Sequence, residues 1–207
     1  MRIAASLAAL FLLTACSPSG PGVPGRTHEP AVTPQAPAPS PAATHGSACR
    51  GDDVERGQGV VLVYFACKPD LNTGKDPRSA VGLARHVDPG ADTRQRLQRA
   101  VVEYLEGPSR SERRSFVSIG QPDMLNSVRL DGERAIIDVD LTRAGLQSTT
   151  SAQSDVLWAH LTALAFQFPE VKYMEPRFNG SCRDFGMAVQ AGECLVATRD
   201  GGYVPGK

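Results

Sequence analysis

Ala100 to Arg114 reads AVVEYLEGPSRSERR, an apolar helical pattern that runs into Gly-Pro and then resumes as polar chain. Extended upstream, Leu97, Ala100, Val101, Tyr104 and Leu105 recur at i, i+3, i+4, i+7 and i+8, which places one apolar stripe on one helix face. Asp92 or Thr93 can cap the start by accepting a bond from a free N–H of the first turn. Gly107 can adopt the left-handed conformation past the last turn, and Pro108 cannot continue the helix. Ser109-x-x-Glu112 fits a capping box, so a further short helical turn is expected. Each of these residues has an architectural role, and a helix with one apolar stripe needs a sheet or a second helix to cover it.

Downstream, Asn126–Leu130 and Glu133–Leu141 flank Asp131-Gly132, a pair suited to the positive φ angles of a type I′ turn, so a hairpin is expected there. In its second strand Ala135, Ile137, Val139 and Leu141 face the core, while Ile136, Asp138 and Asp140 share the other face. Asp138 and Asp140 are the carboxylate pair to weigh for chemistry. Alternate strand positions stand about 7 Å apart, which suits acid–base work or a hard cation. No His, Lys or Ser arrangement nearby completes a catalytic set, and one pair supplies too few oxygens for calcium, so a solvated strand face or loop caps is the simpler expectation.

Leu146–Ser154 is rich in Ser, Thr and Gln and reads as a loop. Asp155–Phe168 follows as a second amphipathic helix, with Leu157, Leu161, Leu164, Ala165 and Phe168 on its stripe, His160 off it at the surface, and Pro169 as its stop. Val171–Phe178 reads as a strand in which Pro176 points to an edge or a bulge. Asn179-Gly180 turns the chain into a cysteine-bearing tail, where Leu195–Thr198 can add a short strand. Upstream, Val60–Phe65 (VVLVYF) is a short continuous apolar run and reads as a buried strand. Asp70–Asp76 reads as a loop and Val81–Val87 as a strand ending near a partly exposed His86. The order is therefore β-β-α-β-β-α-β plus a tail. That is an α+β domain in which one small mixed sheet carries two amphipathic helices on one face.

The N-terminus has a different character. MRIAASLAALFLLTAC carries Arg2, an apolar run too short to span a bilayer, and small residues before a cysteine, which is the pattern of an export signal. Leu13-Thr14-Ala15-Cys16 has the order of a bacterial lipobox. That resemblance implies cleavage before Cys16, diacylglyceryl modification of its sulfur and N-acylation such as palmitate. Two or more acyl chains anchor stably, at about 0.8 kcal/mol per buried CH2. Residues 17–48 hold eight of the sixteen prolines and almost no large apolar side chains, so they read as a disordered stalk. At about 3.1 Å per extended residue it could lift a domain by roughly 100 Å. The organisation expected is thus a signal peptide at 1–15, lipidated Cys16 with its stalk at 16–48, and one domain at 49–207 with its core at about 60–180.

Beyond Cys16, the five cysteines leave Cys49, Cys67, Cys182 and Cys194, an even set on the oxidising side of a membrane, which reads as two disulfides. Three pairings are possible. Cys182–Cys194 with Cys49–Cys67 is favoured, and Cys67–Cys182 is the alternative that would join two strand ends. A zinc site is disfavoured because no Cys-x-x-Cys occurs and His28 and His45 fall in the stalk. The formal net charge is zero and no basic stripe appears, which argues against nucleic acid as a partner. Arginines outnumber lysines eighteen to four, a bias of GC-rich genomes such as those of actinobacteria.

Taken together, VVLVYF, LARHVDP, LQRAVVEYLEGPSRSE, SVRLDGERAIIDVDL and LWAHLTALAFQFPEVKYM resemble the GerMN domain of sporulation and spore-germination lipoproteins over about residues 60–180. Leu105, Gly107, Pro108 and Glu112 are its most specific piece, supported by Val139–Leu141 and by Phe168–Val171. Two features depart from the family pattern: Pro122 falls late in SIGQPDMLNSV with no glycine after it, and the cysteines are particular to this chain. The resemblance implies a fold similar to ring-building motifs, no catalytic residues and no cofactor. Its expected function is protein–protein contact in the envelope, in sporulation, germination, assembly or signalling. The chain is then expected to be a non-enzymatic, lipid-anchored protein on the extracytoplasmic face of the cell membrane. Its partners would be the membrane through Cys16 and an envelope protein. The alternatives are a wall-polymer or small-ligand binding module, and an envelope hydrolase using Asp138 or Asp140.

Overall fold

The apolar run at Val60 becomes β1 (Val60–Cys67), the middle strand of the smaller of two sheets. A computed structural model describes residues 49–52, 59–73, 76, 78–143, 151–188 and 191–206. Contact density divides the chain into Met1–Ala36 and Pro37–Lys207, and every element named here lies in the second unit. The expected signal peptide, Cys16, the whole of the expected stalk and residues 144–150 fall outside the described residues.

β1 pairs antiparallel with β2 (Ala80–His86), from Val60↔His86 to Ala66↔Ala80. At its far end it meets β3 (Phe116–Val117) through Ala66 and Cys67. Val61 to Cys67 are all buried, as a strand covered on both faces requires. The outer side of β2, and the side of β1 that β3 leaves uncovered, each carry a residue that stands in for a strand. On β2, Asp52 donates its N–H to Gly82 O (3.0 Å), and its Oδ2 accepts from Ala84 N (2.8 Å). On β1, Gln167 Oε1 accepts from Leu62 N (2.8 Å) and its Nε2 donates to Leu62 O (3.0 Å). An open edge invites pairing with another chain, and these two groups remove that invitation locally. Between β1 and β2, Lys68–Asn72 forms a short helix α1 with Pro69 in its first turn, so the first residues of the loop expected at Asp70–Asp76 are helical.

α2 (Thr93–Glu106) starts at Asp92. Its side chain accepts from Gln95 N while Gln95 Oε1 accepts from Asp92 N, a complete capping box. Leu97, Ala100, Val101, Tyr104 and Leu105 are buried, as the stripe predicts. Gly107 has φ 81°, but its ψ of −178° takes it out of the left-handed helical region into one essentially reserved for glycine. The chain therefore leaves α2 extended. A single 3₁₀ turn, Glu112–Arg114, follows. Only half of the expected second box forms: Ser109 N donates to Glu112 Oε2 (2.8 Å), while Ser109 Oγ faces Ser111 Oγ.

The larger sheet has the order β4-β5-β6-β7-β8, with β5–β6 parallel and the other pairs antiparallel. One mixed sheet was expected, and there are two; only the five-stranded one is mixed. The hairpin of β4 (Leu125–Asp131) and β5 (Arg134–Val139) turns one residue later than Asp131-Gly132 suggested. Asp131 pairs with Arg134, so Gly132 and Glu133 form the loop. Gly132 has φ +56° and Glu133 does not have a positive φ, which is the II′ pattern rather than I′.

α3 (Ser151–Phe166) starts four residues earlier than expected and is not a one-stripe helix. Val156, Leu157, Ala159, His160, Leu161, Thr162, Leu164 and Ala165 are all buried, and these positions lie all round its axis. The cause is its surroundings. α3 packs on β1, on α2 and on β6, while Trp158 meets Phe185 and Tyr203. His160, expected at the surface, is fully buried and sets its ring edge-on to Tyr104 at 5.5 Å and 85°.

β6 (Tyr173–Phe178) explains how the larger sheet ends. Tyr173 N–H turns toward β5 and donates to Glu133 O (3.2 Å), so the backbone nitrogens of Met174 and Pro176 lie on the β7 side. Met174 pairs with Ala197 of β7 (Leu195–Thr198). Two residues on, Pro176 would face Leu195 but has no N–H to give. The β6–β7 ladder stops there, and Leu195 pairs only with Pro205 of β8 (Tyr203–Pro205). Pro176 thus splits the sheet into a fork. Asn179 (φ 48°) and Gly180 (φ 88°) then make a two-residue turn of the I′ pattern, closed by Phe178 N→Ser181 O (2.9 Å) and Ser181 N→Phe178 O (3.0 Å). α4 (Cys182–Ala188) follows. The bonded sulfurs are those of Cys49 with Cys67, which ties the described domain's first residue to the end of β1, and of Cys182 with Cys194, which links α4 to the start of β7.

Candidate interaction surface

Asp138 and Asp140 are each committed to a separate turn. Asp138 Oδ1 accepts from Gly180 N (3.0 Å) and so fixes the Asn179-Gly180 turn to β5. Asp140 lies past the end of β5, where its Oδ1 accepts from Thr142 N (2.9 Å) and Thr142 Oγ1 (2.6 Å) and its Oδ2 from Arg143 Nε (3.1 Å). The Thr142 hydroxyl, with Arg143 beside it, holds the Asp140 carboxyl below its ordinary pKa. His86 is exposed at the end of β2, beside a shallow concavity lined by Val87, Asp88, Ala91, Gln95 and Arg99. Among the described residues, no group of three or more His, Cys, Asp or Glu side chains could hold a metal, and no helix is long and apolar enough to cross a membrane.

The Leu-x-Gly-Pro-x-x-x-Glu segment resolves into a clamp. Arg85 of β2 reaches Glu112 through both terminal guanidinium nitrogens (Nη1–Oε1 3.1 Å, Nη2–Oε2 2.7 Å) and Glu103 of α2 through Nε (3.3 Å). Its guanidinium carbon lies 5.8 Å from the centre of the Phe65 ring. Burial alone would raise the Glu112 pKa; the bond from Ser109 N–H and the pair with Arg85 outweigh it and lower it. The Gly-Pro exit from α2 is therefore positioned so that Glu112 can lock the small sheet to the helix. Arg85→Ala is expected to cost about 2 kcal/mol, measured by urea unfolding, because it leaves the part-buried Glu112 carboxylate without its cation and leaves Glu103 with Arg99 alone. Arg85→Lys is expected to recover only part of this, since an ammonium cannot make the two-point contact.

On the larger sheet, residues alternate between the core and the opposite face. Ala135, Ile137 and Met174 join the core, whereas Arg134, Ile136 and Asp138 of β5 lie across from Tyr173, Glu175 and Arg177 of β6 on the other face. Glu175 is almost fully buried there between two arginines. Arg134 Nη1 donates to its Oε2 (2.8 Å), and Arg177 donates to its Oε1 through Nε (2.7 Å) and Nη2 (2.6 Å). Both arginine side chains remain about 30 % exposed, at 31% and 27%. The buried carboxylate thus holds two guanidinium groups in fixed positions while leaving part of each at the surface. Pairing of this kind is weak evidence for stability and fits a role in fixing geometry.

Arg177 also borders the fork. A groove of about 590 Å³ opens between the end of β6 and the start of β7, lined by Arg177, Ser181, Arg183, Glu193, Pro205 and the Cys182–Cys194 bridge. Arg183 is exposed at its side. Glu175 and Arg177 share a strand face two residues apart, a signal present in YMEPRF; Arg134 joins them only through the parallel register, which no local pattern shows.

No protein-family model matches the chain, and no curated protein matches it. Among solved structures, the tandem GerMN domains of the sporulation protein GerM from Bacillus subtilis align with a TM-score of 0.41 at 18% identity, over 68% of this chain. This chain spans 44% of that one. The first GerMN domain of the same protein aligns with a TM-score of 0.40 at 15% identity, over 58% of this chain and 84% of that one. A putative lipoprotein from Clostridium perfringens aligns with a TM-score of 0.34 at 20% identity, over 60% of this chain and 77% of that one.

Proposed function

We infer that this chain is a lipid-anchored envelope protein that presents a non-catalytic, GerMN-like domain to a protein partner. The lipobox at Cys16 and the proline-rich stalk support the anchor and the extracytoplasmic side. The observation that carries the interaction reading is the arginine pair held by Glu175, with Arg177 continuing into the groove beside Arg183. Arginine in a fixed, part-exposed position is the kind of side chain that contributes most at protein interfaces. The two candidate catalytic carboxylates, by contrast, serve as turn acceptors.

The groove also favours one second reading, a site for an anionic segment of wall polymer, because two of its lining side chains are arginines. Arg183→Glu separates loss of the surface from loss of the fold. On the interaction reading, the variant fails to restore the phenotype of a deletion strain while its melting temperature stays within about 2 °C of the parent. Full restoration by Arg183→Glu would count against this surface.

A further inference from the structure

The turn that Asp138 fixes carries the sequence Asn179-Gly180, and its geometry bears on a reaction that needs only water. In an Asn-Gly pair the glycine nitrogen can lose its proton and attack the asparagine Cγ. The new N–Cγ bond closes a five-membered succinimide, and the Cγ–Nδ2 bond breaks, releasing ammonia that carries off the proton. Water then opens the ring. Opening at Cγ gives aspartate, and opening at the backbone carbonyl gives isoaspartate, in which the main chain runs through the side chain. Glycine at the second position places no side chain in the path of the nucleophile. Here a Cβ on Gly180 would meet nothing within 4 Å, and Asn179 is exposed to solvent.

Three bonds act against that step in the folded chain. Gly180 N, the nucleophile, donates its proton to Asp138 Oδ1 at 3.0 Å. Asn179 Oδ1, on the carbon to be attacked, accepts from Asn126 Nδ2 at 2.9 Å. Asn179 N donates to Val139 O at 3.3 Å and holds the turn on β5. Cyclisation has to break the first bond and swing the carboxamide out of the second. The Asp138 carboxylate also disfavours deprotonation of the amide beside it, since two negative charges would then face each other.

We propose that Asn179-Gly180 is a latent self-modification site that Asp138 and Asn126 keep closed. Conversion to isoaspartate adds a methylene to a two-residue turn that the Phe178–Ser181 pair closes at 2.9 and 3.0 Å, and it sets a new carboxylate beside Asp138. The turn then no longer fits, and α4, which begins at Cys182, loses its fixed start on β6. This assigns Asp138 a guarding role, independent of what the groove binds.

The test is incubation of the purified full chain at mildly alkaline pH, with peptide mapping of the 179–180 site by mass spectrometry and an isoaspartate assay. The parent is compared with the same chain in denaturant, and with Asp138→Ala and Asn126→Ala. The expected result is that the folded parent converts at least about tenfold more slowly than the denatured chain, and that Asp138→Ala recovers most of that rate. Asn126→Ala is expected to give a smaller increase. Asp138→Asn, which keeps an acceptor oxygen without the charge, should convert at an intermediate rate. Asn179→Gln in the Asp138→Ala background should abolish the product, which checks the site. A folded parent as fast as the denatured chain would overturn the proposal. So would an Asp138→Ala variant that is still folded by circular dichroism but no faster than the parent.

Discussion

Replacing Tyr104 by alanine is expected to lower the unfolding free energy by about 3–5 kcal/mol, a large fraction of the 5–15 kcal/mol typical of a domain. Tyr104 is fully buried on α2 and stands between two other elements. Its ring lies 6.1 Å from Phe65 of β1 and 5.5 Å from His160 of α3. Removing it opens a cavity where the small sheet and both long helices meet, and three separate elements cannot readily collapse into that space. Tyr104→Phe is expected to behave oppositely. The phenol oxygen is buried with no hydrogen-bond partner, so deleting it removes an unmet desolvation cost and should leave stability unchanged or slightly raised. Urea unfolding of both variants checks the pair. A small effect of Tyr104→Ala would show that this contact column does not hold the layers together.

The second large effect is on pH dependence. His160 is fully buried, and neither ring nitrogen has a hydrogen-bond partner in the structure. Burial pushes its pKa down from 6.5 to about 4. The unfolded chain protonates this histidine near 6.5, whereas the folded chain resists until about 4. Above 6.5 neither state carries the proton and the stability is intact. As the pH falls through the window, the unfolded state binds the proton first and stability declines, by roughly 3 kcal/mol in all at 1.36 kcal/mol per unit. Below about 4 this contribution has gone. Carboxylates titrate near the same range, so the diagnostic quantity is the difference between the parent and His160→Phe. That difference should open between pH 6.5 and 4 and then level off; parallel curves for the two proteins would contradict the burial of a neutral imidazole.

His160 also shows where sequence reading stops. A stripe at i, i+3 and i+4 reports one buried face, and α2 has one, so Leu97 to Leu105 were legible along with the Asp92 cap. α3 packs against β1, α2 and β6, and burial by a second and third partner leaves no periodic trace. Its off-stripe histidine therefore reads as surface. The same limit hides the division into two sheets: the strand at Leu195–Thr198 was placed correctly, but strand order depends on pairing partners far apart in the chain. Pro176 was legible as a disruption. Its consequence, a fork on the β7 side with an intact ladder on the β5 side, needed the direction of the Tyr173 N–H. At the candidate surface, Glu175 and Arg177 could be read as same-face neighbours, while Arg134 and the Arg85–Glu112 clamp join residues 41 and 27 positions apart. Asp138 and Asp140 were legible as a same-face pair, yet alternation alone does not reveal that the strand ends at Val139 and leaves Asp140 in the next turn.

On the proposed function, the fork beside Arg177 faces a protein partner in the envelope. The most direct test is photo-crosslinking in intact membranes, with a photoreactive residue at position 183 beside the groove or, as a control, at Arg94 on the exposed side of α2. The account predicts a discrete protein adduct from position 183 that position 94 does not give and that the Arg177→Lys background weakens. The same adduct from both positions, or an adduct at position 183 made only of wall polymer, would contradict it.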